Sequence, residues 1–184
     1  MKNLDIVYIT KSIVESVSIY AEQKGVNLSF ESDCDIKIIA MDEEKYERIL
    51  LNLLSNAIKF TQSDRSIKVR IINQAMRVRV YVIDEGIGIP EDKHELIFER
   101  FGQVDNSYAR QAEGSGIGLS LVKLIVNAME GTITVDSQLG LGSSFCIEFP
   151  ALILDKEHIS EDIKGLIDTR LTQSIAIEFS DIYM

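Results

Sequence analysis

Apolar residues recur along this chain with two different periods, and the switches between them mark the elements. From Ser12 to Gln23, Ile13, Val14, Val17 and Tyr20 fall at helical spacing, and Gly25 follows as a C-terminal cap would. Asn27 to Ser32 and Lys37 to Met41 predict short strands. Asp42 then stands as an N-cap, and Lys45 to Phe60 predicts a long helix. Two alternating runs come next. In Ser66 to Ile72, Ile67, Val69 and Ile71 point one way and Lys68 and Arg70 the other; in Arg77 to Ile83, Val78, Val80 and Val82 oppose Arg77, Arg79 and Tyr81. Asn73 to Met76 joins the two as a hairpin. Further on, Glu91 to Phe98 predicts a short helix and Gly118 to Met129 a second apolar one. Thr132 to Asp136 and Phe145 to Phe149 predict strands joined by the turn Gly140 to Gly142. Helices mixed with antiparallel strands predict an α+β fold: a two-layer sandwich, its sheet mixed and mostly antiparallel, with helices on one face.

Pro150 ends the regular pattern, which divides the chain into a domain at 1–150 and an extension at 151–184. In the extension, Asp155 to Arg170 gives a weak helix. Ser174 to Phe179, where Ile175, Ile177 and Phe179 alternate with Ala176 and Glu178, gives a short strand. A lone strand cannot satisfy its own backbone. It is therefore expected to join a sheet edge, either in its own chain, with Leu166 and Leu171 seating the helix, or in a second copy as a homodimer through this strand.

Composition narrows the function classes. The 184 residues carry 19 Lys and Arg against 29 Asp and Glu, a formal charge of −10, which repels phosphate backbones and argues against nucleic acid as a partner. The basic stripe of Lys68, Arg70, Arg77 and Arg79 reads as a solvated sheet face. No apolar run reaches the roughly 20 residues of a membrane span, since Asn52, Asn56, Lys59 and Lys123 interrupt the longest. Cys34 and Cys146 stand far apart without metal-ligand spacing, so neither a zinc site nor a disulfide framework is expected. A cytoplasmic protein is expected, with any longer parent free to be membrane-anchored.

Three segments carry candidate chemistry. In RILLNLLSNAIKFT, from Arg48 to Thr61, the spacing i, i+4, i+7 puts Asn52, Asn56 and Lys59 on one helical face. Asn is a poor helix former, so two of them amid leucines are costly for mere solubility. In DEGIGIP, from Asp84 to Pro90, a carboxylate at a strand end precedes Gly86 and Gly88; a flat ring could approach the backbone while the carboxylate accepts an amino hydrogen. In GSGIGL, from Gly114 to Leu119, glycine-rich amides open a helix, where unpaired N–H groups and the helix dipole favour an anion. Alone, the amide face is equally consistent with a polar stripe, DEGIGIP reads more readily as an ordinary turn, and GSGIGL is a weak signal.

Together and in this order, the three resemble the N box and glycine boxes of the sensor histidine kinase ATP-binding domain. That domain belongs to the wider superfamily of gyrase, heat-shock-chaperone, histidine-kinase and mismatch-repair ATPases, and its two-layer fold is of the Bergerat type. Ile97 to Phe101 resembles the family's F box, and Gly140 to Ser143 its final glycine turn; the likeness runs from roughly Asp5 to Pro150. The resemblance implies ATP and Mg2+ as ligands. It implies that Asn56 ligates magnesium, that Lys59 reaches the phosphates, and that Asn52, Asn56 and Lys59 form the catalytic face. Asp84 would read adenine, Gly86 and Gly88 would admit the base, Ser143 would help through water, and Phe60 would sit beside adenine or ribose. Gly114, Gly116, Ile117, Gly118 and Leu119 would wrap the triphosphate. Phe98 to Glu113 would form a mobile lid that includes Phe101, with Arg100 and Arg110 as phosphate contacts. Many members carry Arg where this chain has Gln103, which removes one cation from that lid.

Asn52 bears on the reaction. The superfamily's hydrolases typically place a glutamate base four residues before the magnesium asparagine, whereas a neutral amide cannot accept a proton. That fits transfer to a histidine, which brings its own nucleophile. His94 and His158 both lack the family's phosphoacceptor pattern, and the chain starts where the family's dimerisation helices end. The resemblance thus implies the catalytic half of a bacterial two-component phosphorelay kinase. Its partners would be a histidine-bearing dimerisation domain and, downstream, a response regulator. The alternatives are a regulatory nucleotide-binding module without transfer and an anti-sigma-type serine kinase.

Overall fold

The structure is a computed structural model and describes residues 1–99, 118–154, 173–175 and 177–179. Its first element is β1 (Lys2–Asp5), which the hydrophobic pattern does not announce because only Leu4 is buried. It pairs antiparallel with β3 (Ile38–Met41), Lys2 opposite Met41 and Asp5 opposite Ile38, as a separate two-stranded sheet. Asp5 ends this strand and caps α1 (Ile6–Gln23), its Oδ1 accepting from Val7 N and Lys37 N at 3.1 Å each. The helix starts earlier than the expected Ser12 because the capping carboxylate stands at Asp5. Asp42 caps α2 (Glu43–Phe60) in the same way, accepting from Lys45 N at 3.2 Å.

Five strands form the main sheet: β2 (Asn27–Ser32), β4 (Ser66–Asn73), β5 (Arg77–Asp84), β6 (Thr132–Gln138) and β7 (Gly142–Pro150), in the spatial order β2-β4-β5-β7-β6. β2 runs parallel to β4 and the other pairs are antiparallel, so the sheet is mixed and mostly antiparallel as expected. Alternation decides which face is covered. Ile67, Val69, Ile71, Val78, Val80, Val82, Phe145, Ile147 and Phe149 are buried in one core with α1, α2 and α3 (Gly118–Ala128). On the opposite face, Lys68 pairs with Glu31 at 2.8 Å, and Arg77 and Arg79 both reach Glu148 at 2.6 Å. Each fully buried aliphatic side chain is worth roughly 1.5–3 kcal/mol, against well under about 1 kcal/mol for an exposed pair. The apolar face therefore fixes the register. The basic stripe is a charge-paired outer face.

Two expectations need correction. Glu91 to Phe98 is not one α-helix but two single 3-10 turns, Glu91–Lys93 and Leu96–Phe98, closed by i to i+3 bonds such as His94 N to Glu91 O. The segment follows Pro90 and offers only Ile97 for full burial, too little apolar surface to hold a longer helix. The strand expected from Ser174 to Phe179 is also overturned: residues 173–175 and 177–178 are helical, and Phe179 N donates to Ile175 O at 2.9 Å. Ile175 and Phe179, four apart, share a helical face and are buried, while Ile177 is 75% exposed. A helical turn buries that pair and satisfies its own backbone, which a solitary strand cannot. This removes the basis for a homodimer through a C-terminal strand. The expected helix at Asp155 to Arg170, with Leu166, lies outside the described residues, as does Leu171.

Past Pro150 the chain continues along the small sheet. Ala40 N donates to Leu152 O at 2.6 Å, and Asn3 exchanges two 2.8 Å bonds with the Leu154 backbone. Among the described residues, no helix is long and apolar enough to cross a membrane.

Candidate functional site

The site is built where the C-terminal half of α2 meets the end of β5 and the start of α3. Helical spacing buries Leu50, Leu51, Leu53, Leu54, Ala57 and Ile58, and leaves Asn52, Asn56, Lys59 and Phe60 half-buried along one side. The two amides touch, Asn56 Nδ2 donating to Asn52 Oδ1 at 3.3 Å. Lys59 Nζ lies 6.0 Å from the centre of the Phe60 ring.

The far end of α2 carries a residue that sequence reasoning missed. Lys24 Nζ donates to Ile58 O and Lys59 O at 2.5 Å each, placing a cation on the carbonyls that close the helix. Burial, and then the neighbouring Lys59 charge, hold this ammonium below its ordinary pKa. Positive charge thus gathers at one end of α2 in an otherwise acidic protein.

Asp84 ends β5 opposite Ser143 of β7 and is 7% exposed. Its Oδ1 accepts from Gly86 N at 2.9 Å. Burial pushes its carboxyl up to about 6, and hydrogen bonds from the Gly86 and Ser143 backbone only partly offset this. The following loop closes on α2 through Ile87 N to Phe60 O at 3.3 Å. A Cβ at Gly86 would lie 2.7 Å from both Asp84 Oδ1 and Phe60 O. One at Gly88, where φ is +69°, would lie 2.0 Å from Gln138 O. Both glycines are thus required by the protein's own packing, before any ligand is considered. Ser137 Oγ joins this loop to β7. It accepts from Ile89 N at 2.8 Å and lies 2.8 Å from Gly142 O and 3.0 Å from Ser143 Oγ. Thr61 Oγ1, directly after α2, is buried without a hydrogen-bond partner among the described residues.

Gly118 brings the third segment to the first. A Cβ there would lie 2.7 Å from Asn52 Nδ2, so the start of α3 rests on the amide face of α2. Leu119 packs against the core. Phe98 meets Phe145 edge-on at 6.4 Å, with Lys123 Nζ 5.5 Å from its centre. Arg100, Phe101, Arg110, Gly114, Gly116 and Ile117 lie outside the described residues, as does the rest of the expected lid up to Glu113. The second residue the sequence did not reveal is Glu178, whose Oε1 accepts from Asn52 Nδ2 at 2.8 Å across 126 positions.

The donor set bears on metal binding. Among the described residues, no group of three or more His, Cys, Asp or Glu could hold a metal ion. With Nδ2 committed to Asn52, Asn56 presents Oδ1, a hard oxygen ligand, and no donor from a described residue occupies it. A hard divalent ion shared with phosphate oxygens and water fits such a site; a fully protein-ligated one does not.

Comparisons with known proteins agree on one family. Residues 41–153 match the family described as histidine kinase-, DNA gyrase B- and HSP90-like ATPase. The chain is 35% identical over 152 residues to hybrid signal transduction histidine kinase D of Dictyostelium discoideum, covering 80% of this chain and 10% of that protein. It is 37% identical over 150 residues to the sensor histidine kinase TmoS of Ectopseudomonas mendocina, covering 81% and 15%. The chain therefore spans no more than about a seventh of either relative's length. Among solved structures, full-length ShkA in complex with AMPPNP superposes with a TM-score of 0.72 at 32% identity, covering 80% of this chain and 30% of that one.

Proposed function

This chain belongs to the histidine kinase-, DNA gyrase B- and HSP90-like ATPase family, and from that premise we propose that it binds Mg-ATP and serves as the phosphate-donating half of a protein histidine kinase. The observation that carries this reading is the Asn52–Asn56 pair beneath the start of α3. It offers a single oxygen to a cation and no carboxylate within its own helix face. Magnesium, when bound, would neutralise phosphate charge and draw the phosphate oxygens into a fixed array.

The remaining tasks fall to this chain's own residues. Asn56 Oδ1 would hold the ion, and Lys59 would meet the phosphates from the cationic end of α2. Asp84, a buried acceptor, would take the exocyclic amine of adenine, with Ser143 beside it and Phe60 against the base or ribose. The backbone of the Gly114 to Leu119 segment would wrap the phosphates. Asn52 cannot accept a proton and so would leave water unactivated, which favours transfer to an incoming nucleophile over hydrolysis. That nucleophile is a histidine on a dimerisation domain of a longer parent protein. A response regulator would take the phosphate onward in a two-component system, with the domain lying in the cytoplasm.

Adenine reading by Asp84 has a measurable signature. Asp84→Asn should lower ATP affinity about tenfold, because the charge that strengthens the amine hydrogen bond is lost, while GTP affinity stays at its wild-type level. Since the free carboxyl is pushed up to about 6, wild-type ATP affinity should also fall as pH drops through about 6 and the acceptor becomes protonated. The γ-phosphate titrates identically for both proteins, so the difference between their pH profiles isolates Asp84. Calorimetric titration at pH 5 and 7.5 tests this. Equal losses for ATP and GTP, or a pH profile that the substitution leaves unchanged, would contradict it.

A further inference from the structure

We propose that Glu178, from the C-terminal extension, is a positioning residue that sets the orientation of the Asn56 amide and so tunes the cation site; this rests on the Mg-ATP reading above. Hydrogen-bond polarity fixes the orientation of both amides. An ionised carboxylate can only accept, so the Asn52 atom facing Glu178 Oε1 at 2.8 Å must be Nδ2. Asn52 then has only Oδ1 to offer on its other side, and this oxygen meets Asn56 Nδ2 at 3.3 Å. Asn56 in turn is left with Oδ1 facing outward, the one atom of its amide that can ligate a cation. The orientation of each amide follows from the one before it, starting at the carboxylate.

Without Glu178, Asn52 could turn over. Its Nδ2 would then face Asn56 Nδ2, donor against donor, which is relieved when Asn56 turns over as well. Asn56 Oδ1 is then committed to Asn52, and a donor stands where a ligand is required. That state competes with metal binding and leaves the helix intact.

The extension holds Glu178 in place by contacts independent of its carboxylate. Ile175 and Phe179 are 4% and 1% exposed, the Phe179 ring lies 4.9 Å from that of Tyr20 on α1, and Ser55 Oγ on α2 donates to Glu178 O at 3.2 Å. The docked turn spans the α1–α2 pair on the side where Asn52 emerges. Its anchors position the backbone of residue 178, and its carboxylate supplies the polarity.

The test measures ATP affinity of the full chain by calorimetry, with saturating Mg2+ and with chelator. In wild type, Mg2+ should tighten binding. In E178A most of that gain should vanish, about five- to tenfold, corresponding to the loss of one orienting hydrogen bond, while affinity in chelator changes less than twofold. E178M, which keeps the side-chain length and removes the acceptor, should match E178A, and it serves if E178A does not fold. E178Q retains an oxygen able to accept from Asn52 and should recover part of the gain. F179A, by contrast, should lower the melting temperature, a change that E178M does not share. Wild-type Mg2+ dependence in E178A and E178M would overturn the proposal. So would an equal loss with and without Mg2+, which is what a merely structural role produces. Failure of the wild-type chain to bind Mg-ATP at all would instead overturn the functional reading on which this rests.

Discussion

Asn56→Ala is expected to lower Mg-ATP affinity by at least about 100-fold, since even the partners behind a metal ligand are typically worth 10- to 100-fold. Asn56 is the only oxygen that the amide face of α2 offers outward, and no acidic or histidine cluster among the described residues could replace it. The fold should tolerate the change. Asn56 is half-buried, it holds Asn52 by one 3.3 Å bond, and Ala is the better helix former. The melting temperature should therefore stay level or rise slightly while binding collapses. Titration with ATP and with Mg2+ separately, beside a thermal melt, checks both halves. An unchanged affinity would remove Asn56 from the site, and a collapsed melt would make the loss uninformative.

Gly142→Ala should be strongly destabilising. Gly142 opens β7 at φ +97°, and a Cβ there would lie 2.0 Å from Asp84 O and 2.9 Å from the Asp84 carbonyl carbon. The obstacle is backbone, so no rotamer change can relieve it. Either β7 separates from β5 at the Asp84–Ser143 pair, or the loop after Asp84 moves. Left-handed strain and overpacking each cost about 1–3 kcal/mol, so a loss on the order of 3 kcal/mol and a fall of about 6–12 °C in Tm are expected. Gly140 is the natural comparison. It has φ +85° with nothing within 4 Å of a built Cβ, so Gly140→Ala carries the strain without the clash and should cost far less. Denaturant melts of the two variants check this. Equal losses would show that the contact with Asp84 is irrelevant.

What the sequence could show was set by how local each signal is. The α2 helix, the β4–β5 hairpin and β7 were legible because each carries at least three apolar residues in one unbroken period, enough for that period to win. That Asn52 and Asn56 share a helical face was legible because i, i+4 spacing alone places them there. β1 was not, since four residues with one buried leucine show no period. At the C-terminus, Ile175, Ile177 and Phe179 satisfy an alternation, but Ile175 and Phe179 equally satisfy a helical turn. Only the surface they dock against decides between them, and it buries the pair and leaves Ile177 out. The contacts that finish the site have no local trace at all. Lys24 reaches α2 carbonyls more than 30 positions away, and Glu178 reaches Asn52 across 126. Gly86 and Gly88 looked suited to admitting a base, and the structure gives each a packing reason that a sequence pattern cannot reveal.

Donation of the γ-phosphate to histidine can be followed directly. The chain is incubated with γ-labelled ATP, Mg2+ and the histidine-bearing dimerisation half of its parent protein, and the label on the acceptor is followed through acid and alkali. Label is expected on the acceptor that survives alkali and is lost in acid, as a phosphoramidate is, with none when Asn56 is Ala. Label that survives acid, as a serine ester does, would contradict it, as would ATP bound with no label transferred.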